Sequence, residues 1–131
     1  MATGSAELHE AGDSLRPETI ERHRAIISLM EELEAVDWYD QRIDATQDPE
    51  LRALLEHNRD EEKEHASMAL EWLRRRDPAL DRFLRMYLFT TEPIVEREAA
   101  HEENGSGASG PPGTAHSLGL GSLQSLQKGR A

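Results

Sequence analysis

Three side chains in the first half of the chain, Glu32, Glu62 and His65, have the chemical types and spacing of metal ligands. Two residues separate Glu62 from His65, so on a helix their side chains would be neighbours on one face. A carboxylate oxygen and an imidazole nitrogen at that spacing can bind one metal ion at about 2.0–2.2 Å. Oxygen ligands with some imidazole and no sulfur favour iron or manganese over copper or zinc.

These polar residues lie within apolar helix faces. The apolar stripe expected from Leu51 to Trp72 has Glu62 and His65 in its middle, and Glu32 has apolar or aromatic residues one, two and three turns away on its own face. A carboxylate buried without a partner would cost several kcal/mol. A bound cation would remove that cost, so the sequence predicts a metal site here.

The elements that carry these residues are predicted to be helices. No glycine occurs between Asp13 and Asn104, and this stretch is rich in Glu, Leu, Arg and Ala. Prolines and capping residues divide it into two long helices and one shorter one, near residues 17–44, 49–76 and 90–103. The short connection between the long helices predicts an antiparallel hairpin. For residues 81–89, a helical extension and a docked loop remain alternatives.

One hairpin carries half of a known ligand set. A ferritin-like di-iron site takes one Glu from each of two helices and a Glu-x-x-His pair from each of two others. This chain offers one helix of each kind, with Glu32 on the first and Glu62 and His65 on the second. Two chains related by a two-fold axis would complete the set and would cover each other's apolar stripes. We therefore expect an all-α fold in which two hairpins form a ferritin-like four-helix bundle.

Composition limits the other classes of function. The chain has 131 residues, 26 acids against 15 bases and a formal net charge of −11, which disfavours binding to nucleic acid. The absence of cysteine excludes disulfides and thiolate metal sites. No apolar run approaches the roughly 20 residues of a membrane span, and no secretory signal is evident at the N-terminus.

An acidic run follows one side of the first helix and has two interpretations. It comprises Glu31, Glu34, Asp37 and Asp40. Such a run is either a solvated face or, where a two-fold axis brings two copies together, a patch that attracts cations. The sequence alone leaves both open.

Three regions differ in composition. Residues 1–13 are expected to be disordered, residues 14–103 to form the helical domain, and residues 104–131 to form a flexible tail. Half of the residues in the tail are Gly, Ser or Pro, and it contains no acid and no aromatic residue.

The helical region resembles the encapsulated ferritins, the iron-oxidising cargo of encapsulin nanocompartments. The resemblance is carried by RHRAIISLMEELEAVDWYDQR (22–42), DPELRALLEHNRDEEKEHASMALEWLRR (48–75) and MYLFTTEPI (86–94). It implies a cytoplasmic ferroxidase inside an encapsulin shell, with chains that form homodimers and then an annular homodecamer. It also implies two iron ions per dimer, oxidised with dioxygen and delivered for storage.

The resemblance also implies roles for individual residues. The family's ferroxidase ligands match Glu32, Glu62 and His65, of which Glu62 would bridge the two metal ions. An entrance site that also holds other divalent cations, such as calcium, matches Glu31 and Glu34. Trp38 lies near that site by this resemblance, and Tyr39 lies close to the di-iron centre.

The tail contains a second resemblance. Residues 117–123 read SLGLGSL and are similar to the peptides that target cargo to the inner wall of an encapsulin shell. An extended segment can insert alternate leucines into surface pockets. The residues expected to make this contact are Leu118, Gly119, Leu120, Gly121, Ser122 and Leu123, and Leu126 could extend it.

Two other functions remain compatible with the sequence. A helical adaptor without catalysis could use the same acids to set the register of a dimer. A haem-binding protein of the bacterioferritin type would need a symmetric methionine, for which Met30 or Met68 could serve. Both methionines are spaced as core residues.

Overall fold

The computed structural model describes residues 7–105, and within this range the secondary structure is entirely helical. The four α-helices are α1 (Pro17–Ala45), α2 (Pro49–Arg76), α3 (Pro78–Tyr87) and α4 (Ile94–Gly105), and a 3₁₀ turn (Gly12–Ser14) precedes α1. The all-α prediction is confirmed. The observed α1 and α2 agree with the two predicted long helices to within one residue at each end.

Proline and aspartate define where the second helix begins. Pro49 occupies the first turn of α2, where its missing N–H is not needed. The Asp48 side chain caps this turn, because its Oδ1 accepts hydrogen bonds from the backbone N–H of Glu50 at 3.0 Å and of Leu51 at 3.4 Å. A cap of this kind stabilises a helix by about 1 kcal/mol. The register of α2 is therefore fixed from its first residue.

A helix that the sequence left undecided follows α2. Residues 78–87 form α3 and are not a docked loop, so residues 7–105 contain one helix more than the hairpin and short C-terminal helix predicted from the sequence. Asp77 ends α2 and caps α3, since its Oδ1 accepts a hydrogen bond from the backbone N–H of Leu80 at 3.0 Å. Pro78 thus starts the next helix as well as stopping the previous one.

An arginine ties α3 to α2. The Arg74 guanidinium donates from Nη2 to Glu71 Oε1 at 2.7 Å and also contacts Asp81 on α3. Its hydrogen bonds lower the pKa of Glu71 to about 2 and also lower the pKa of Asp81. The two carboxylates therefore stay ionised, and paired with Arg74, well into the acidic range.

This cluster predicts an acid-dependent loss of stability. Because both carboxyl pKa values are lower in the folded chain, their contribution to stability is complete above the ordinary carboxyl pKa values and is lost as pH falls below them. The contribution of Glu71 fades between about 4.5 and about 2. Replacing Arg74 by glutamine should therefore lower the melting temperature at pH 7 and make little difference near pH 2. Thermal unfolding of both chains across this range measures the effect. An equal deficit at every pH would contradict it.

The described helices fall into two compact units, with α1, α2 and α3 in the first and α4 in the second. Within the second unit, Arg97 forms an ion pair with Glu92 at 3.8 Å, and the side chains of Ile94 and Val95 are exposed. None of the helices within residues 7–105 combines the length and apolar composition needed to cross a membrane.

The first unit leaves much apolar surface uncovered. Across residues 7–105, the buried apolar side chains are Ile43, Ala66 and Leu73. Large apolar residues with more than a third of their surface exposed occur on both helices of the hairpin, namely Ile26, Met30, Leu33, Leu51, Leu54 and Met68. The spacing that marked Met30 and Met68 as core residues does not bury them within one chain. A hairpin of this kind needs a further surface to pack against.

Candidate metal centre

The centre lies midway along the hairpin, where α1 and α2 face each other. Glu32 projects from α1, and Glu62 and His65, one turn apart, project from α2. One potential ligand atom from each of the three side chains lies within 4.8 Å of the others. Among the residues that the structure describes, this is the group of acids and histidines whose geometry could hold a metal ion.

The distances within the group suit a shared metal ion. His65 Nδ1 lies 3.3 Å from Glu62 Oε2 and 3.7 Å from Glu32 Oε2. Two atoms that each lie about 2.1 Å from one metal ion are about 3.0–3.4 Å apart. The two contacts of His65 therefore need to contract by at most a few tenths of an ångström. Two carboxylates and one imidazole fit iron, which binds both oxygen and imidazole ligands.

The three side chains are open on one side. Relative exposure is 28% for the Glu32 side chain, 25% for Glu62 and 51% for His65. Three protein ligands also leave coordination positions unfilled on any metal ion bound there. The open face therefore leaves room for further ligands to a bound metal ion, and it leaves the site accessible from outside the chain.

Without a metal ion, the three side chains shift one another's pKa values. A hydrogen bond with Glu62, assisted by partial burial, raises the pKa of Glu32. The same bond, together with one from His65, lowers the pKa of Glu62. The hydrogen bond to Glu62 in turn raises the pKa of His65. A proton on Glu32 lessens the repulsion between the two carboxyl groups, as the positive charge of a metal ion would do.

The other residues singled out in the sequence are not part of this group. Glu31 and Glu34 are exposed on α1, and Trp38 is 45% exposed. Tyr39 is half-buried, with the Arg42 guanidinium 5.6 Å from its ring centre. The entrance-site role of Glu31 and Glu34 stays a prediction. The residues assigned to shell targeting, 117–126, lie outside the described part of the chain.

Sequence reasoning missed a polar contact beside the centre. Arg59 on α2 donates from Nη1 to Oδ1 of Asp40 on α1 at 3.0 Å. Asp40 had been grouped only with the acidic run of α1. An antiparallel hairpin that places Glu32 opposite Glu62 also brings Asp40 close to Arg59, so the register of the two helices was the signal available to find it.

Comparison with known proteins places the chain in a family. The EncFtn-like family model matches residues 7–91. An "Encapsulated ferritin-like protein" of Rhodospirillum rubrum is 59% identical over 129 residues, covering 95% of this chain and 92% of the relative. A "Ferritin-like protein" of Thermotoga maritima is 51% identical over 102 residues, covering 78% of this chain and 87% of the relative. The chain therefore belongs to the EncFtn-like family, as its resemblance to encapsulated ferritins predicted.

Two further matches extend this result. The crystal structure of protein ne0167 from Nitrosomonas europaea superposes with a TM-score of 0.65 at 62% identity, over 66% of this chain and 96% of the other. A shorter match joins the chain to the "Encapsulin nanocompartment cargo protein EncC" of Myxococcus xanthus, 40% identical over 52 residues and covering 40% of each protein. The helical fold is thus shared with a solved structure of closely similar sequence.

Proposed function

We propose that this protein is a ferroxidase that oxidises ferrous iron with dioxygen at a di-iron site formed between two chains. The observation that carries the proposal is the group Glu32, Glu62 and His65, which is a half-set of iron ligands held together on an open face. Membership of the EncFtn-like family, with close relatives named as ferritin-like proteins, supports iron as the substrate.

The half-set explains why two chains are required. Three ligands on one chain cannot hold two ferrous ions, whereas two copies supply four carboxylates and two imidazoles. The four negative charges of those carboxylates balance two divalent cations. The exposed apolar residues on the hairpin, such as Leu33 and Leu54, give a second hairpin the surface on which to pack.

The chemistry follows from these ligands. Each ferrous ion loses one electron to dioxygen, and carboxylate oxygens stabilise the ferric product more strongly than the ferrous substrate. By its resemblance to the encapsulated ferritins, Glu62 is proposed to bridge the two ions. We propose that iron reaches the site past Glu31 and Glu34, which also accept calcium or another divalent cation. The protein itself contributes the position of the two ions and the charge around them.

We further propose that the protein works as cargo of an encapsulin nanocompartment in the cytoplasm. Two relatives carry names that refer to encapsulation or to encapsulin cargo. Dimers would assemble into an annular homodecamer, whose open ring retains little iron, so the ferric product would be stored in the surrounding shell. The segment at residues 117–126 would attach each chain to the shell wall, and several tails on one ring would strengthen the attachment.

Anaerobic ferrous titration tests the shared site directly. The metal-free protein should bind one ferrous ion per chain, saturably, and native mass measurement should show that iron shifts chains into dimers or larger rings. On admission of air, the bound iron should be oxidised faster than the same concentration of free iron.

An absence of saturable binding would contradict the proposal and favour a helical adaptor. A haem absorption spectrum in the purified protein would favour the bacterioferritin type instead.

A further inference from the structure

One ion pair crosses the hairpin close to the candidate metal centre. Arg59 Nη1 on α2 lies 3.0 Å from Asp40 Oδ1 on α1, and Arg59 Nε lies 3.2 Å from Oδ1 of the adjacent Asp60. The Arg59 side chain is only 23% exposed, although it carries a charge. The Arg59 guanidinium therefore pairs with Asp60 through Nε and with Asp40 on the neighbouring helix through Nη1.

This pair shares its helices and its register with the metal ligands. Arg59 is one turn before Glu62 on α2, and Asp40 is about two turns after Glu32 on α1. Both the contact between Glu32 and His65 and the contact between Asp40 and Arg59 therefore join the same two antiparallel helices, at different heights along the hairpin. A third polar contact, from Arg52 Nη2 to the Thr46 carbonyl oxygen at 2.9 Å, lies at the end of the hairpin where the chain turns.

We propose that Arg59 and Asp40 are positioning residues for the metal centre, an inference that rests on the proposed function. Their ion pair fixes how far α1 slides along α2, and so keeps the Glu32 carboxylate opposite Glu62 and His65. A slide by one residue moves α1 by about 1.5 Å, whereas a working metal site tolerates an error of about 0.5 Å. The apolar contacts of so thin a core are less directional than this ion pair.

The effect on stability is expected to be small by comparison. Partly exposed ion pairs contribute little to folding, because water and salt screen them. Residues that orient metal ligands without binding the metal, by contrast, typically change metal affinity by about 10- to 100-fold when replaced. Loss of affinity with a nearly unchanged melting temperature is therefore the signature that separates a positioning role from a merely structural one.

The test is anaerobic ferrous titration of the full chain, with thermal unfolding of each metal-free variant. We expect Asp40→Asn and Arg59→Gln each to weaken ferrous binding by about 10-fold, and the double variant to be no weaker than either single variant. Arg59→Lys, which keeps the charge, should recover most of the affinity. As a matched control, Arg24→Gln removes the exposed ion pair that Arg24 forms with Glu21 within α1 and should bind iron like the wild type.

The possible outcomes are distinguishable. If the wild-type protein shows no saturable ferrous binding, the proposed function itself is wrong. If the wild type binds ferrous iron saturably and both single variants bind it with the same affinity, only the positioning role is wrong. Wild-type ferrous affinity in Arg59→Gln together with weak ferrous binding in Asp40→Asn would also contradict the positioning role, because Asp40 would then act only by neutralising the charge of Arg59. Independent losses that add up in the double variant would likewise show that the two residues do not act as one pair.

Discussion

Replacing Glu62 by alanine should slow ferrous oxidation by at least about 100-fold, the upper range for residues that merely support metal ligands. Glu62 is one of the three proposed ligands on each chain, and its Oε2 lies 3.3 Å from His65 Nδ1. Its loss removes two carboxylates from each proposed dimer. The four negative charges that balance two ferrous ions are then halved.

The measurement is the initial rate at which ferric absorbance appears after aerobic mixing of the metal-free variant with ferrous iron. Glu32→Ala and His65→Ala should show the same loss, because each also removes a ligand from both halves of the site. Glu64→Ala is the matched control, since it deletes an exposed acid from the same turn of α2 and leaves the ligands in place. Wild-type rates in a folded Glu62→Ala protein would remove this residue from the scheme.

Truncation of the chain after Asn104 should abolish loading into encapsulin shells and leave ferrous oxidation unchanged. The truncated protein keeps every helix of the hairpin and all three ligands, and it loses the segment SLGLGSL at residues 117–123. In the proposed assembly, attachment through a few leucines would be weak for one chain and strong only through many tails on one ring, so complete removal should have a large effect.

Co-expression with the shell protein, followed by isolation of intact shells, measures this loading. A full-length chain with Leu118, Leu120 and Leu123 all replaced by alanine provides the control for chain length, and it should fail to load as completely as the truncated chain. If the truncated protein still entered shells in normal amounts, the helical domain would have to carry the targeting signal.

Local signals allowed most of the fold to be predicted. Asp48 followed by Pro49 marks the start of α2, because both act on the residues next to them. The same dipeptide recurs at Asp77 and Pro78, where α2 ends and α3 begins. A proline signal is ambiguous in this way, because one residue can end a helix and begin another.

The three proposed metal ligands could be predicted from the sequence more readily than the residues that lie near them. The spacing of Glu62 and His65 places them together on any helix, and the hairpin brings Glu32 to them. The contact between Arg59 and Asp40 depends on how two helices face each other, which spacing along one helix does not specify. Apolar periodicity likewise predicts that Met68 packs against another apolar surface. It does not specify whether that surface belongs to the same chain or to a second one.

Under the proposed function, the half-open position of Glu32, Glu62 and His65 would link catalysis to the amount of protein present. A solitary hairpin offers iron too few donors, so turnover should rise with roughly the square of the subunit concentration wherever chains are dilute. A freshly synthesised molecule would then stay inactive until it met another, and reactive oxygen chemistry would be confined to places where the protein is crowded.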